Sequence, residues 1–467
     1  MEDWVRKIVE EERKKRNIPL EAKPLNGNYY LYYSTSRYDR TTRKAVKVSR
    51  YIGRITRTGI TEKAKEIRSV YEYGNSALVY SLSGDMIARL QKYFPDRWPD
   101  LYALSVVRLM DPVPLKSVKD RWEKLHVSRE IKAHLSPNTL TDILTDVGSD
   151  MGAQMDLFQS LITESKKLAF DLSSIFSRSE NLNVAAKGHN ADHIYLPQIN
   201  MALAFDLDQY RPVFLKPVEG SVRDVKSLRK VLEEIDFHGI LVLDTGFSSQ
   251  DLAEIMRMEM KFIMPLRRNQ EIIDYGMEMG SSFVYRERGI RSGFLNRDGL
   301  RIYMFQDQML MAEESSTFIK MIAEKKRTQR EFDTESARFG KISILSNVRD
   351  DPEVIYGLYK QREEVEQAFD AMKNELENDK SYLSDDDSVR GYFFVSFLSL
   401  YLYYSIFVLI RAADLTSKLS VKDVLLKFSK VYKIVRGNRE TLSEIPSGAE
   451  KIDEMLGTNI FPKKLRS

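Results

Sequence analysis

The sequence predicts an α/β protein built on an open mixed sheet. Three observations carry that expectation. First, the strand-like runs KLAFDLSS (167–174), YLPQINMALAFDLD (195–208) and YRPVFLKPVEG (210–220) follow one another with no helical pattern between them, as antiparallel neighbours do. Second, a helix DVKSLRKVLEEI, a strand GILVLDTGF and a helix QDLAEIMRM then alternate, which calls for a crossover to a further strand. Third, this rhythm breaks over 261–335 into the short runs KFIMPLRRN, SSFVYRERGI and LRIYMFQDQMLMAEES. It resumes at KISILSN, 341–347, so the middle stretch reads as a β-rich insertion.

Composition sets the outer bounds. The chain has 467 residues, 43% hydrophobic and 30% charged, so it can bury a large core and has no disordered bias. The net charge of +4 is small for that length, which leaves any polyanion-binding role to local clustering. The absence of cysteine excludes disulfides, thiol nucleophiles and cysteine–zinc sites. The first residues, MEDWVRKIVEEERKKRN, form a charged amphipathic pattern with no apolar run of the kind a signal peptide needs.

Five regions are expected. Residues 1–75 form a small basic strand-rich region, in which GNYYLYYS and KAVKVSRYIGRI make a hairpin joined by the polar link TSRYDRTTR. Its Arg37, Arg40, Arg43, Lys44, Lys47, Arg50, Arg54 and Arg57, interleaved with Tyr38 and Tyr51, read either as a solvated face or as a surface for the DNA backbone. Residues 76–160 are helical, with SPNTLTDILTDVG offering a capping serine and a stopping glycine, compatible with a DNA-binding module. The core takes 161–260 and 336–411, the insertion 261–335, and a helical tail 412–467 that includes a helix KLSVKDVLLKFSKVYKIVRGN. The run GYFFVSFLSLYLYYSIFVLI, 391–410, is uncharged and long enough to span a bilayer. Its four tyrosines and three serines, and an arginine at each end, favour a buried core helix over a membrane span.

The chemistry is expected where the core resumes. On the helix from Asp351, the residues Tyr359, Arg362, Glu366 and Lys373 are spaced by three, four and seven, which keeps them on one stripe of a continuous helix. Asp171 and Asp244 each end an apolar strand. Three carboxylates brought together repel one another. Hard divalent cations offset that repulsion with oxygen ligands, and a pair of them can drive phosphodiester chemistry. Taken singly, Asp171 also reads as a strand-end cap, Asp244 as a turn residue, and Glu366 as the partner of Arg362 on a solvated face.

The pattern Tyr359-x2-Arg362-x3-Glu366-x6-Lys373 resembles the signature of the DDE transposases of bacterial and archaeal insertion sequences, in the branch with a strand-rich insertion. LAFDLSS and LVLDTGF resemble the family's first and second acidic motifs, and KGHNADHIYLPQ the polar segment after the first. The resemblance implies a ribonuclease H-like mixed-sheet catalytic core interrupted by the β-rich insertion, with an N-terminal β/helical DNA-binding region. It also implies two Mg²⁺ ions, for which Mn²⁺ substitutes, held by Asp171, Asp244 and Glu366. Tyr359, Arg362 and Lys373 would grip transposon-end DNA, and Lys187 and His189 are further candidates for phosphate contact, otherwise polar turn residues. The implied partners are double-stranded DNA, as terminal inverted repeats and as target, and a second copy of the chain in a homodimeric synaptic complex. A cytoplasmic, DNA-associated protein with no membrane partner is expected. Phe247 is a candidate for stacking on a flipped base if a hairpin intermediate forms. The alternatives are a metal-dependent, structure-specific DNA nuclease and an inactive DNA-binding derivative.

Overall fold

The computed structural model describes residues 1–462 apart from 40–43, 63–68, 178–181, 183–185, 188–196, 220–230, 232, 245–259, 376–379, 382–384 and 437–438. His189, Phe247, the expected helix 250–258 and most of the helix 224–235 lie outside the described residues. The chain divides into two compact units: residues 1–71 with 432–443, and residues 72–431 with 444–467.

In the smaller unit, α1 (Asp3–Arg16) is followed by β1 (Leu20–Leu25), β2 (Asn28–Asp39), β3 (Lys44–Thr56) and β4 (Gly59–Glu62). These strands form one sheet in chain order. Val5 and Val9, one turn apart on α1, pack with Leu20, Leu31 and Ile55 into a small core of their own. The expected polar link 35–43 begins later than its composition suggests, because β2 stays paired through Asp39, opposite Lys44. A second sheet joins β5 (Ser69–Glu72) to two strands from near the C-terminus, Tyr432–Arg436 and Arg439–Leu442. The helix expected over 418–438 therefore ends early, at Phe428. The β-branched run after it pairs as a strand instead.

The larger unit opens with six helices: α2 (Gly74–Leu82), α3 (Gly84–Tyr93), α4 (Trp98–Met110), α5 (Val118–Glu123), α6 (Pro137–Ser149) and α7 (Met151–Ile162). The sheet follows, in which β6 (Lys167–Ser177), β8 (Pro197–Asp206) and β9 (Arg211–Glu219) are antiparallel neighbours, and β7 (Ala186–Lys187) adds a short pairing to β8. On the other side of β6, β10 (Ile240–Val242) and then β11 (Lys261–Leu266) run parallel to it. KFIMPL thus extends the sheet directly from β10 rather than opening a separate insertion. The hairpins β12 (Ser281–Tyr285), β13 (Arg288–Arg297) and β14 (Leu300–Asp307) continue the same sheet through β15 (Lys341–Ser346), which pairs with β11. The result is a large mixed sheet on an α/β unit.

Only the first half of LRIYMFQDQMLMAEES is a strand. Asp307 accepts the backbone N–H groups of Met309 and Leu310 and so caps α8 (Gln308–Ala323), which α9 (Gln329–Glu335) follows. After β15 come α10 (Pro352–Gln361) and α11 (Glu363–Asp370), a wide π turn (Ala371–Glu375), β16 (Lys380–Ser381), α12 (Asp386–Ala412), α13 (Val421–Phe428) and α14 (Ser447–Leu456).

The long apolar helix α12 has 72% of its most apolar window buried inside the protein. Phe393, Phe394, Phe397 and Leu398 are fully enclosed there. Its serines do not strand polar groups, since the Ser396, Ser399 and Ser405 hydroxyls donate to the carbonyls of Tyr392, Val395 and Tyr401 one turn back. Gly391 lets α12 lie directly on α6, for a Cβ there would stand 2.0 Å from the Leu144 carbonyl oxygen. Gly148, read from sequence as a stop, faces α12 in the same way: a Cβ on it would meet the Asp387 carbonyl oxygen at 1.7 Å. The helix α6 runs past it to Ser149.

Candidate active site

Strand register brings the two aspartates together. Ile240, Leu241 and Val242 of β10 lie opposite Lys167, Leu168 and Ala169 of β6. Two residues beyond the Val242–Ala169 pair come Asp244 and Asp171, on the same face by the alternation of a strand. Parallel neighbours lie about 4.8 Å apart, so the register brings both residues to the same region of the sheet, where the Asp244 charge acts on Asp171. Asp171 does not end its strand as the sequence suggested. β6 runs on to Ser177 because β8 keeps pairing with it as far as Gln198.

That extra length shapes the site. β8 covers one side of β6 along its length, so β10 and β16 share the other. β10 pairs as far as Ala169, and β16 pairs only from Phe176 onward. Among the described residues the β6 edge between them is therefore open, and it carries Asp171 and Ser173 at the carboxyl end of β10. Such a split in a mixed sheet is where α/β proteins receive ligands.

The helix pair α10–α11 crosses this notch. The sequence pattern anticipates one unbroken helix, but the structure breaks it at Arg362. There the backbone tightens: Arg362 N–H donates to the Tyr359 carbonyl, 3.2 Å, and Val365 N–H to the Arg362 carbonyl, 3.0 Å, both three residues back. The π turn at Ala371–Glu375 then widens the winding around Lys373, which lies within it. One tight turn and one wide turn replace the single stripe, and the four residues divide into two groups.

Tyr359, Arg362 and Glu366 face Asp244. Arg362 Nη1 lies 2.8 Å from Glu366 Oε1 and 3.3 Å from Asp244 Oδ1, which makes the guanidinium a cation shared by two carboxylates. Its side chain is only 13% exposed. Burial lowers its affinity for the proton, but the Asp244 and Glu366 charges outweigh this and hold it above the ordinary arginine value. Burial raises the Tyr359 phenol, keeping it protonated, with Arg362 beside it acting in the opposite sense.

Asp171 carries the electrostatic load. Burial is the largest cause pushing its carboxyl up to about 7, and the charges of Asp244 and Glu366 add to it. The Leu172 N–H, which donates to Asp171 Oδ1 at 2.8 Å, and Arg362 pull the other way without cancelling the rise. Lys373 makes the second group: its Nζ lies 2.6 Å from the hydroxyl of Ser173, two residues after Asp171 on the same face of β6. Sequence reasoning missed Ser173, although the period of two along LAFDLSS carries the signal.

Two supports hold α11. Glu364, on its buried side, receives Arg411 Nη1 of α12 at 3.0 Å, and the same guanidinium lies 3.5 Å from the centre of the Tyr210 ring. From the sheet, Arg286 Nη1 reaches Glu363 at 3.5 Å. Arg286 and Glu287 turn the β12–β13 hairpin with φ of 47° and 66°, a conformation that usually selects Asn or Gly. Lys187 lies in the two-residue strand β7, paired opposite Pro197.

Among the described residues no group of three or more His, Asp or Glu is gathered tightly enough to hold a metal ion as it stands. The donor chemistry nevertheless fits a hard dication. The candidate ligands are all carboxylate oxygens, and Asp171 ionises reluctantly beside two anions served by a single guanidinium.

Residues 170–402 match the family model of the transposase DDE domain. The matched stretch begins one residue before Asp171, takes in Asp244, Glu366 and Lys373, and ends within α12. No curated protein matches the sequence. Among solved structures, the cryo-EM structure of a piggyBac transposase synaptic complex with hairpin DNA aligns over 87% of this chain and 89% of its own, at 11% identity and a TM-score of 0.41. That likeness is too slight to bear on the residues of the site.

Proposed function

We propose that this chain is a DNA transposase that cleaves phosphodiesters at the ends of an insertion sequence and joins the freed 3′-hydroxyl to target DNA. The observation that supports the reading is Arg362 standing between Asp244 and Glu366 while the charges of both act on the buried Asp171, within a stretch that matches the transposase DDE domain. Three antiparallel strands followed by two parallel ones also support the finer reading of a ribonuclease H-like core.

In this account Asp171, Asp244 and Glu366 would hold two Mg²⁺ or Mn²⁺ ions. Bound there, the ions would supply an activated attacking oxygen and stabilise the departing one. The chain's own residues position the DNA. Arg362, already between two carboxylates, would offer its guanidinium to a backbone phosphate. Tyr359, kept as a neutral phenol, donates a hydrogen bond to the same strand. Lys373, steadied by Ser173, sets a second positive charge on the other side of Asp171.

The reaction balances in two steps. Water attacks the phosphorus at the transposon end, leaving a 3′-hydroxyl and a 5′-phosphate. That hydroxyl then attacks a target phosphorus, forming a new phosphodiester and releasing a target 3′-hydroxyl, the attacking oxygen losing a proton and the departing oxygen gaining one. Two ends must be served, which takes two active sites or serial use of one, and a homodimer on the paired ends is the arrangement proposed. The test is excision in cells: a donor plasmid carrying the DNA that flanks this gene should lose the segment with the wild-type chain and keep it with Glu366→Gln. Equal excision by both would refute the assignment.

A further inference from the structure

We infer that the outer half of the β2–β3 hairpin is a DNA-binding arm, a duplex contact made by the smaller unit independently of the acidic notch. The inference rests on the reading of the chain as a DNA enzyme and assigns that partner a second surface.

Strand register isolates the arm. β1 pairs with β2 only from Asn28 to Tyr33, with one more backbone bond from Ser34 N–H to the Pro19 carbonyl. β4 pairs with β3 only from Gly53 to Thr56. Beyond those limits, Thr35–Asp39 pair with Lys44–Val48 and with no other described strand. Five residue pairs extend about 17 Å from the sheet. The unit's core, Val5, Val9, Leu20, Leu31 and Ile55, contains none of these residues.

Among the described residues neither face of the arm is covered. Every residue from Lys44 to Arg50 is exposed, and with them Ser36, Arg37 and Tyr38. A bare two-stranded ribbon is marginal in water, so an arm of this length is expected to have a partner. The side chains say which. Arg37, Lys44, Val46, Val48 and Arg50 share one face by register, together with the positions of Thr35 and of Asp39, which is opposite Lys44. Arg37 lies opposite Val46, and Arg50 lies at the root opposite Tyr33. The other face carries Ser34, Ser36, Ala45 and Ser49, together with Tyr38 and with Lys47, which is paired to Glu21 at 2.7 Å. Asp39 is the one acidic residue in these two segments.

A cationic two-stranded ribbon is narrow enough for the major groove, about 12 Å wide, which admits such ribbons. Arg37, Lys44 and Arg50 then meet phosphates, while Val46 and Val48, 48% and 39% exposed, meet the sugar and base edges between them. Cations on a free edge also discourage strands from pairing edge to edge. That role accounts for the charge but not for exposed valines on a projecting ribbon. The same charge opposes a second copy of the arm as the occupant.

The test uses the full-length protein with Arg37→Ala, Lys44→Ala and Arg50→Ala combined. Binding to a labelled duplex is followed by fluorescence anisotropy in EDTA, across a salt series, so that no cleavage intervenes. Each phosphate that is no longer neutralised takes about 0.9 from the slope of log affinity against log salt, so the triple variant should fall by about 2.7 in slope and bind at least about tenfold more weakly at about 100 mM salt. Unchanged affinity and slope would overturn the arm. So would a variant that loses self-association in sedimentation while keeping its DNA affinity, which assigns the ribbon to a second copy. The transposase reading fails separately, if the wild-type chain binds duplex through the arm yet never cuts it with Mg²⁺ present.

Discussion

Replacing Asp171 by Asn should make the metal-free protein more stable at alkaline pH. A carboxyl with its midpoint near 7 in the fold, against the ordinary 3.8, favours folding only while protonated. For an acid whose folded value is raised, the stabilisation is complete below the unfolded value and is lost as pH rises through the folded one. Three decades of displacement correspond to about 4 kcal/mol in the limit, of which about 2.5 kcal/mol falls between pH 5 and pH 8. Asn keeps the shape and the acceptor for the Leu172 N–H but cannot ionise. The assay is urea unfolding in EDTA at both pH values, followed by the fluorescence of Trp98 and Trp122, which lie in the larger unit. The wild type should lose about 2.5 kcal/mol relative to Asp171→Asn on going from pH 5 to pH 8. Saturating Mg²⁺ at pH 8 should recover stability in the wild type and little in the variant. Parallel pH dependence in the two proteins would show that Asp171 is not held against its charge, and the electrostatic case for cations at the notch would fall.

Other outcomes follow from neighbouring contacts. Ser173→Ala should leave the melting temperature within a degree or two but slow DNA cleavage several-fold, because Lys373 loses its 2.6 Å partner, and Ser173→Thr should restore the rate; equal rates in all three would remove Ser173 from the site. Arg411→Ala strands the buried Glu364 carboxylate and should cost about 3 kcal/mol in urea unfolding, with Glu364→Gln in the same background recovering part of it. Gly391→Ala forces a Cβ against the Leu144 carbonyl and should destabilise the larger unit by about 3 kcal/mol, whereas Gly448→Ala, where nothing lies within 4 Å, should not.

The parts of this protein legible in its sequence are those set by short-range rules. Alternating apolar runs located the strands that carry Asp171 and Asp244, and residue spacing singled out Tyr359, Arg362, Glu366 and Lys373. The run 391–410 was long enough for a membrane, and its hydroxyls gave the better clue, since each serine named above bonds within its own helix. What escaped the sequence depended on partners distant in the chain. KFIMPL looked like insertion because nothing local reveals that β11 pairs with β10. β6 outran its predicted end because β8 holds it. The single stripe on the site helix assumed uniform winding, and neither the tight turn at Arg362 nor the π turn that contains Lys373 has a glycine or proline to announce it. Ser173 mattered only once Lys373 arrived beside it.

The most direct test of the central claim is strand joining in a purified system. Labelled DNA carrying the segment's own ends would be incubated with target DNA and Mg²⁺, with the wild-type chain or with Asp244→Asn. The account predicts a metal-dependent product in which the labelled 3′ end is covalently attached to target, formed by the wild type and absent with Asp244→Asn, which still binds the ends. Joining by Asp244→Asn at the wild-type rate would contradict it, and cleavage by the wild type with no joined product would make the protein a nuclease instead.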